Sequence, residues 1–188
     1  ALYGGALSIN AALTATNNTI NLHATGAVTQ TAALSATSLG LHGTGTFTLN
    51  NTSNNVTTIA GGESGTRLGS LSFTDASGGL TIGTVGNRNG IYATGTILVE
   101  TLTGDINIEK DISTTNTTAT AVTVIAGKSS PVGSIAGGDI KLVGSPNITM
   151  GTNGIVRLFS GYESNSPGLN ALVGNLVNVR NNLISTST

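Results

Sequence analysis

Residues 24–62 read ATGAVTQTAALSATSLGLHGTGTFTLNNTSNNVTTIAGG. Apolar residues recur two apart in very short runs, at 27–30, 38–42, 46–50 and 56–59, and Gly, Asn, Ser and Thr fill the gaps. Period two sends alternate side chains to opposite faces of a strand. A run of four or five residues cannot bury its own inward face. This pattern therefore folds only if many such strands share one core.

The pattern returns. Ala24-Thr-Gly recurs at Ala93-Thr-Gly, Val56-Thr-Thr-Ile-Ala-Gly at Val122-Thr-Val-Ile-Ala-Gly, and Gly69-Ser-Leu at Gly133-Ser-Ile. The order is kept and the offset drifts slightly, as loop insertions and deletions would make it drift. The mean offset divides into three coils of about 22 residues, each holding three short strands and three turns. The expected fold is all-β, a right-handed parallel β-helix with about 20–22 residues per coil, spanning 1–188 as one solenoid segment. One coil can neither bury its inward residues nor pair its own strand edges. Stacking coils about 4.7–4.9 Å apart does both. Eight or nine coils are expected, a rod about 40 Å long.

The rest of the chain continues the series. The expected inward positions are Leu7, Ile9, Ile20, Leu22, Leu39, Leu41, Phe47, Leu49, Leu71, Phe73, Leu80, Ile82, Ile97, Val99, Ile106, Ile108, Val122, Val124, Ile140, Leu142, Ile148 and Met150. Residues 61–65 read as a turn or small excursion, 86–90 as a turn cluster and 114–120 as a polar loop. Pro131, Pro146 and Pro167 fall in gaps, where the missing N–H costs no ladder bond. The competing architecture is an antiparallel sandwich, whose hairpins would carry Asn-Gly pairs such as Asn89-Gly90 and Asn153-Gly154. Most gaps carry Thr, Ser or Gly-Gly instead, which favours the solenoid.

Composition agrees. Charged residues are 8% of the chain, against about 25% in globular proteins. The chain holds 31 Thr, 27 Gly and 20 Asn, and few of the residues that fill helices. Recurrent aliphatics argue against disorder. A net charge of −1 gives no electrostatic case for nucleic acid or an anionic membrane. No apolar run approaches the ~20 residues that span a bilayer as a helix. Cysteine is absent, which suits an extracellular protein. The start at Ala1 and the tail ISTST read as a portion of something longer.

No catalytic, cofactor-binding or metal-ligating residue is assigned, and no cofactor is expected. His23 and His42 follow inward leucines, so both should point outward. They stand close to one coil apart in the chain, so they should stack. Two imidazoles fall short of the three or four ligands of a metal site. The acidic cluster at 105–111, DINIEKD, would place Asp105, Asn107, Glu109 and Asp111 on one strand face, about 6–7 Å apart, too spread to chelate one ion. It reads as a solvated face. Asp75, Glu100 and Asp105 could be paired on paper as glycosidase carboxylates, but no spacing fixes them across a cleft. The six Asn-x-Ser/Thr sites match the number that composition alone gives, about five.

The segments GAVTQTAALSATSLGL, LSFTDASGGLTIGTVG, GIYATGTILVETLTGDINI and VRLFSGYESNSPGLNALVG resemble parts of large bacterial exoproteins of the filamentous haemagglutinin type. The resemblance covers residues 26–174; the tail 175–188 departs from it, and the amino-terminal secretion domain of such proteins is not visible. The resemblance implies a β-helical shaft, a secreted or cell-surface location, and a part in adhesion, aggregation or biofilm. It also implies export through a partner, an outer-membrane barrel transporter. A self-assembling extracellular fibre or sheath subunit, joined end to end, is the alternative. A carbohydrate-active β-helix enzyme is the remote one.

Overall fold

A computed structural model describes residues 1–76, 78–131 and 136–169. The amino-terminal part is built from β1 (Leu2–Gly4), β2 (Leu7–Ile9), β3 (Leu13–Ala24), β4 (Ala27–Gln30), β5 (Leu34–His42), β6 (Thr46–Leu49) and β7 (Asn55–Gly61). Shorter strands follow: β8 (Ser70–Asp75), β9 (Leu80–Ile82), β10 (Thr84–Val85), β11 (Arg88–Asn89), β12 (Ile91–Ala93) and β13 (Ile97–Thr101). Then come β14 (Ile106–Ile108), β15 (Ile112–Thr114), β16 (Val122–Ile125), β17 (Ile140–Leu142), β18 (Ile148–Thr149) and β19 (Val156–Phe159), with one 3₁₀ turn at Glu163–Asn165.

Two parallel walls take up all of these strands except β10 and β11. One wall stacks β2, β4, β6, β8, β13, β16 and β19 as seven rungs. The other stacks β1, β3, β5, β7, β12, β15 and β18, and β9, β14 and β17 join it through β7. The chain passes from wall to wall and climbs, so the molecule is an all-β parallel solenoid. No helix among the described residues is long and apolar enough to cross a membrane.

The seven-rung wall keeps its core positions in strict register: Leu7, Val28, Phe47, Leu71, Ile97, Val122 and Val156. The first step, Leu7 to Val28, matches the expected coil length, and the second, Val28 to Phe47, falls just short of it. The later ones are longer, and the last, Val122 to Val156, is half as long again. The described chain therefore makes fewer coils than the expected eight or nine. Its seven rungs span roughly 29 Å at the usual strand spacing.

Of the three sequence matches, one marks equivalent places. Leu22 pairs with Leu41, Leu41 with Gly61 and Gly61 with Ile91, so Ala24 and Ala93 lie three coils apart, as inferred. Val56 and Val122 are not equivalent: Val56 is in β7 of one wall and Val122 in β16 of the other. Any strand of a solenoid presents the same inward alternation, so Val-Thr-x-Ile suits either wall. The third match falls on 133–135, outside the described residues.

The core runs unbroken between the walls. Nineteen of the 22 expected inward residues are buried, and Leu7, Leu142 and Met150 pack against them partly buried. Phe47 and Phe73 are fully enclosed on adjacent rungs. Where the chain turns into the seven-rung wall, Gly26, Gly45, Gly69 and Gly95 form a seam. Gly69 donates to the Gly45 carbonyl at 2.8 Å and Gly95 to the Gly69 carbonyl at 2.6 Å. A Cβ on Gly26 would lie 2.6 Å from the Gly5 carbonyl oxygen, and one on Gly95 2.5 Å from that of Gly69. Only glycine lets the turns approach this closely.

Where the chain leaves that wall, polar side chains stand in for a missing strand partner. Asn54 is fully buried: its Oδ1 accepts from Leu34 N at 2.8 Å, and its Nδ2 donates to the Leu49 and Thr74 carbonyls. Asp75, also fully buried, accepts from Val56 N at 2.8 Å. Buried backbone donors need such partners, and these side chains supply them.

Candidate functional site

On the outer face of the second wall, Leu22 and Leu41 point inward, which turns Asn21, His23 and His42 outward. The register pairs Tyr3 with His23 and His23 with His42. The two imidazoles stack with centroids 6.1 Å apart and planes 7° from parallel, the arrangement their one-coil spacing predicts. Tyr3 continues the column, 5.3 Å from His23. His42 Nε2 is 3.0 Å from Asn21 Oδ1.

A hairpin covers this column. Residues 83–90 separate β9 from β12 and fold back as the antiparallel pair β10–β11, with Val85 opposite Arg88. The sequence reading took 86–90 for a turn cluster; the segment is a turn with strands on both sides. Paired residues of such a ladder point to one side. Val85 is buried against the wall at Gly40, where a Cβ would lie 3.4 Å from Val85 Cγ1 and 3.1 Å from His42 Nε2. A glycine on the outside of β5 therefore makes the seat for the hairpin. Arg88 shares Val85's side, and its Nη1 lies 3.3 Å from Glu63 Oε1. Glu63 belongs to the excursion between β7 and β8, which backbone bonds between Glu63 and Thr66 close.

Hairpin and column enclose an open cleft of about 300 Å³, lined by Tyr3, Asn21, His23, His42 and residues 85–87, with Ala1 at its margin. Burial holds the His42 imidazole below its ordinary 6.5, and the positive charge of Arg88 and the neighbouring His23 lower it further; Glu63 opposes them. Two rungs beyond His42, Arg67 lies over the Tyr92 ring at 5.4 Å and donates to the Ala93 and Ser113 carbonyls. That arrangement is a cation–π clamp between coils.

The acidic residues do not gather. Asp105 accepts from Asp139 N at 3.0 Å and pairs with Lys141. Asp111 accepts from Asn147 N at 2.8 Å, and Asp139 from Tyr162 N at 2.9 Å. Glu100 is buried, accepts from Thr74 Oγ1 at 2.9 Å and pairs with Lys128 at 2.9 Å. The solvated face read into 105–111 is thus corrected. Glu109 and Lys110 are exposed, but Asp105 and Asp111 each tie their own coil to the next through a backbone N–H. Burial raises the Asp105 carboxyl, but the Lys141 hydrogen bond and the Asp139 N–H outweigh it and hold the group below its ordinary 3.8. Among the described residues, no three His, Asp or Glu side chains converge as metal ligands would.

Sequence reasoning placed the imidazoles and missed everything that covers them. The missing signal was Thr84-Val85-Gly-Asn-Arg88-Asn89, two dipeptides flanking a Gly-Asn turn. No protein family, curated protein or solved structure matches the chain.

Proposed function

We propose that the chain is a stiff, non-catalytic shaft of a secreted bacterial surface adhesin, of the filamentous haemagglutinin type that its segments resemble. Its work is to hold adhesive regions away from the cell and so to serve adhesion, aggregation or biofilm. One observation carries this reading: a single apolar core runs through all seven rungs while the length added to later coils goes into corners and excursions outside it. A continuous dry core with hydrogen-bonded walls resists bending, and outward loops vary without disturbing it.

The test is surface labelling of the bacterium that encodes the chain, together with a deletion strain. Antibody raised against the chain should label intact cells, and deletion should reduce aggregation and biofilm. Label found only after lysis, with unchanged aggregation, would sink the proposal.

The alternative is a self-assembling fibre subunit, in which solenoids with parallel walls like these join end to end. Electron microscopy over a concentration series decides between the two. Filaments that lengthen with concentration favour the fibre subunit, and short rods of constant length favour the shaft.

A further inference from the structure

We propose that Asn153 is a site of spontaneous deamidation, that the fold withholds Asn89 from the same reaction, and that isoaspartate at position 153 lifts the last described rung from its wall. The site is independent of the role of the shaft. The chain has two Asn-Gly pairs, Asn89-Gly90 and Asn153-Gly154. The chemistry open to both is the same. The glycine nitrogen loses its proton to solvent base and attacks the asparagine side-chain carbonyl carbon. A C–N bond forms, ammonia leaves and a succinimide closes. Water then opens the ring at either carbonyl, giving aspartate or isoaspartate, so the net change is water taken up and ammonia released. Glycine favours the attack because no Cβ shields its nitrogen.

The reaction needs a side chain free to swing over the next peptide and a glycine nitrogen free to give up its hydrogen bond. Asn89 has neither. It lies in β11 opposite Thr84, whose hydroxyl donates to its Oδ1 at 2.7 Å. Gly90 N donates to the Gly83 carbonyl at 2.8 Å, and the Gly90 carbonyl accepts from Gly61 N at 2.9 Å. A Cβ on Gly90 would lie 2.1 Å from the Asp111 carbonyl oxygen, so this peptide has no room to turn. Asn153 is exposed in the turn between β18 and β19, in left-handed backbone at φ 67°. No side-chain hydrogen bond among the described residues holds its amide. The turn is closed by Gly154 N donating to the Gly151 carbonyl at 2.9 Å, and a surface turn opens more readily than a ladder.

The two products differ in effect. Aspartate suits left-handed backbone as asparagine does and leaves the turn intact. Isoaspartate adds a carbon to the main chain, and this turn is pressed against the coil beneath. A Cβ on Gly151 would lie 2.2 Å from the Thr115 carbonyl oxygen, and one on Gly154 2.7 Å from that of Asn116. A longer turn therefore displaces Ile155, whose N–H reaches the Thr118 carbonyl at 3.1 Å, and with it Val156, which pairs with Val122.

The test is to age the whole chain in warm, mildly alkaline buffer, folded and in urea. Mass spectrometry follows both Asn-Gly peptides, and enzymatic methylation scores isoaspartate. In the folded chain Asn153 should convert about tenfold faster than Asn89, which must first break a side-chain hydrogen bond that Asn153 does not make. In urea the two rates should converge. Equal rates in the folded chain, or the same ratio in urea, overturn the proposal. The aged chain should also lose hydrogen-exchange protection in β19, while Asn153→Gln, aged alike, should keep it. Unchanged protection in a sample rich in isoaspartate overturns the lifting of the rung.

Discussion

Residues 1–62 and the coils that follow solve one problem in different ways. The early part contains no Asp, Glu, Lys or Arg, and the side-chain bonds between its coils span 20 to 24 residues. The later part holds every charged residue, and its carboxylates reach neighbouring coils across 19 to 36 residues. In the early coils β3, β5 and β7 cross the second wall as long strands, and the N–H groups of Leu34 and Val56 are met by the Asn54 amide and the Asp75 carboxylate. In the later coils the wall is divided into β9 and β12, β14 and β15, β17 and β18, with corners between them. Each added corner frees backbone N–H groups, and carboxylates accept them: Asp105 for Asp139, Asp111 for Asn147, Asp139 for Tyr162. Three of the carboxylates, Asp105, Asp111 and Asp139, stand where the second wall is broken by corners.

The largest expected effect tests what the two regions share. Phe47→Ala and Phe73→Ala should each cost about 3–5 kcal/mol in urea denaturation, because both rings are fully enclosed. A cost under about 1 kcal/mol for either would mean the core does not run continuously from one region to the other. Next come the corner side chains. Asn54→Ala and Asp75→Ala should each cost about 1–3 kcal/mol, since each strands a buried backbone N–H, of Leu34 or Val56. Equal costs would show that a neutral amide and a carboxylate do the same work; a much smaller loss for Asn54 would break the comparison.

Acid should separate the regions. The Asp105 carboxyl is depressed in the fold, so its stabilisation is present above the ordinary 3.8 and is lost as pH falls through the lowered value. Hydrogen exchange at about pH 3 should therefore open the Asp139–Lys141 corner before β3 and β5, and Asp105→Asn should remove that order. Uniform exchange would show that the carboxylates are incidental. The smallest effect belongs to His42. Its imidazole is depressed as well, so its contribution holds above 6.5 and fades as pH drops through the lowered value. His42→Gln should change stability by no more than about 0.5 kcal/mol at neutral pH, while flattening the pH dependence of hairpin protection between neutral and mildly acid solution.

Much of this was legible because a solenoid repeats one local rule. Leu22 and His23 alternate inside and outside whatever the neighbouring coil does, so the core list and the stacked imidazoles followed from period two and a one-coil spacing. What depended on a neighbour was not legible. Val122-Thr-Val124 carries no mark of which wall it joins. Val28, Leu34, Ile91 and Ile112 are fully buried but stand beside small or polar residues that dilute the pattern. Asp105 and Asp111 looked solvated because their partners lie 34 and 36 residues away on a coil of unpredictable length. The cleft needed two such facts at once, a hairpin insertion and the coil it folds back over.

The glycine seam makes height an editable quantity. Gly26 and Gly45 occupy the same corner on successive coils, and Val28 sits over Phe47 in the same register. Excising residues 26–44 would set Gly45 against Gly5 and Phe47 against Leu7, leaving the junction with the geometry it replaced. Duplicating them would add one storey of about 4.8 Å. A lineage that carries this corner can lengthen or shorten its reach in whole storeys, by recombination between like segments, without inventing a new contact.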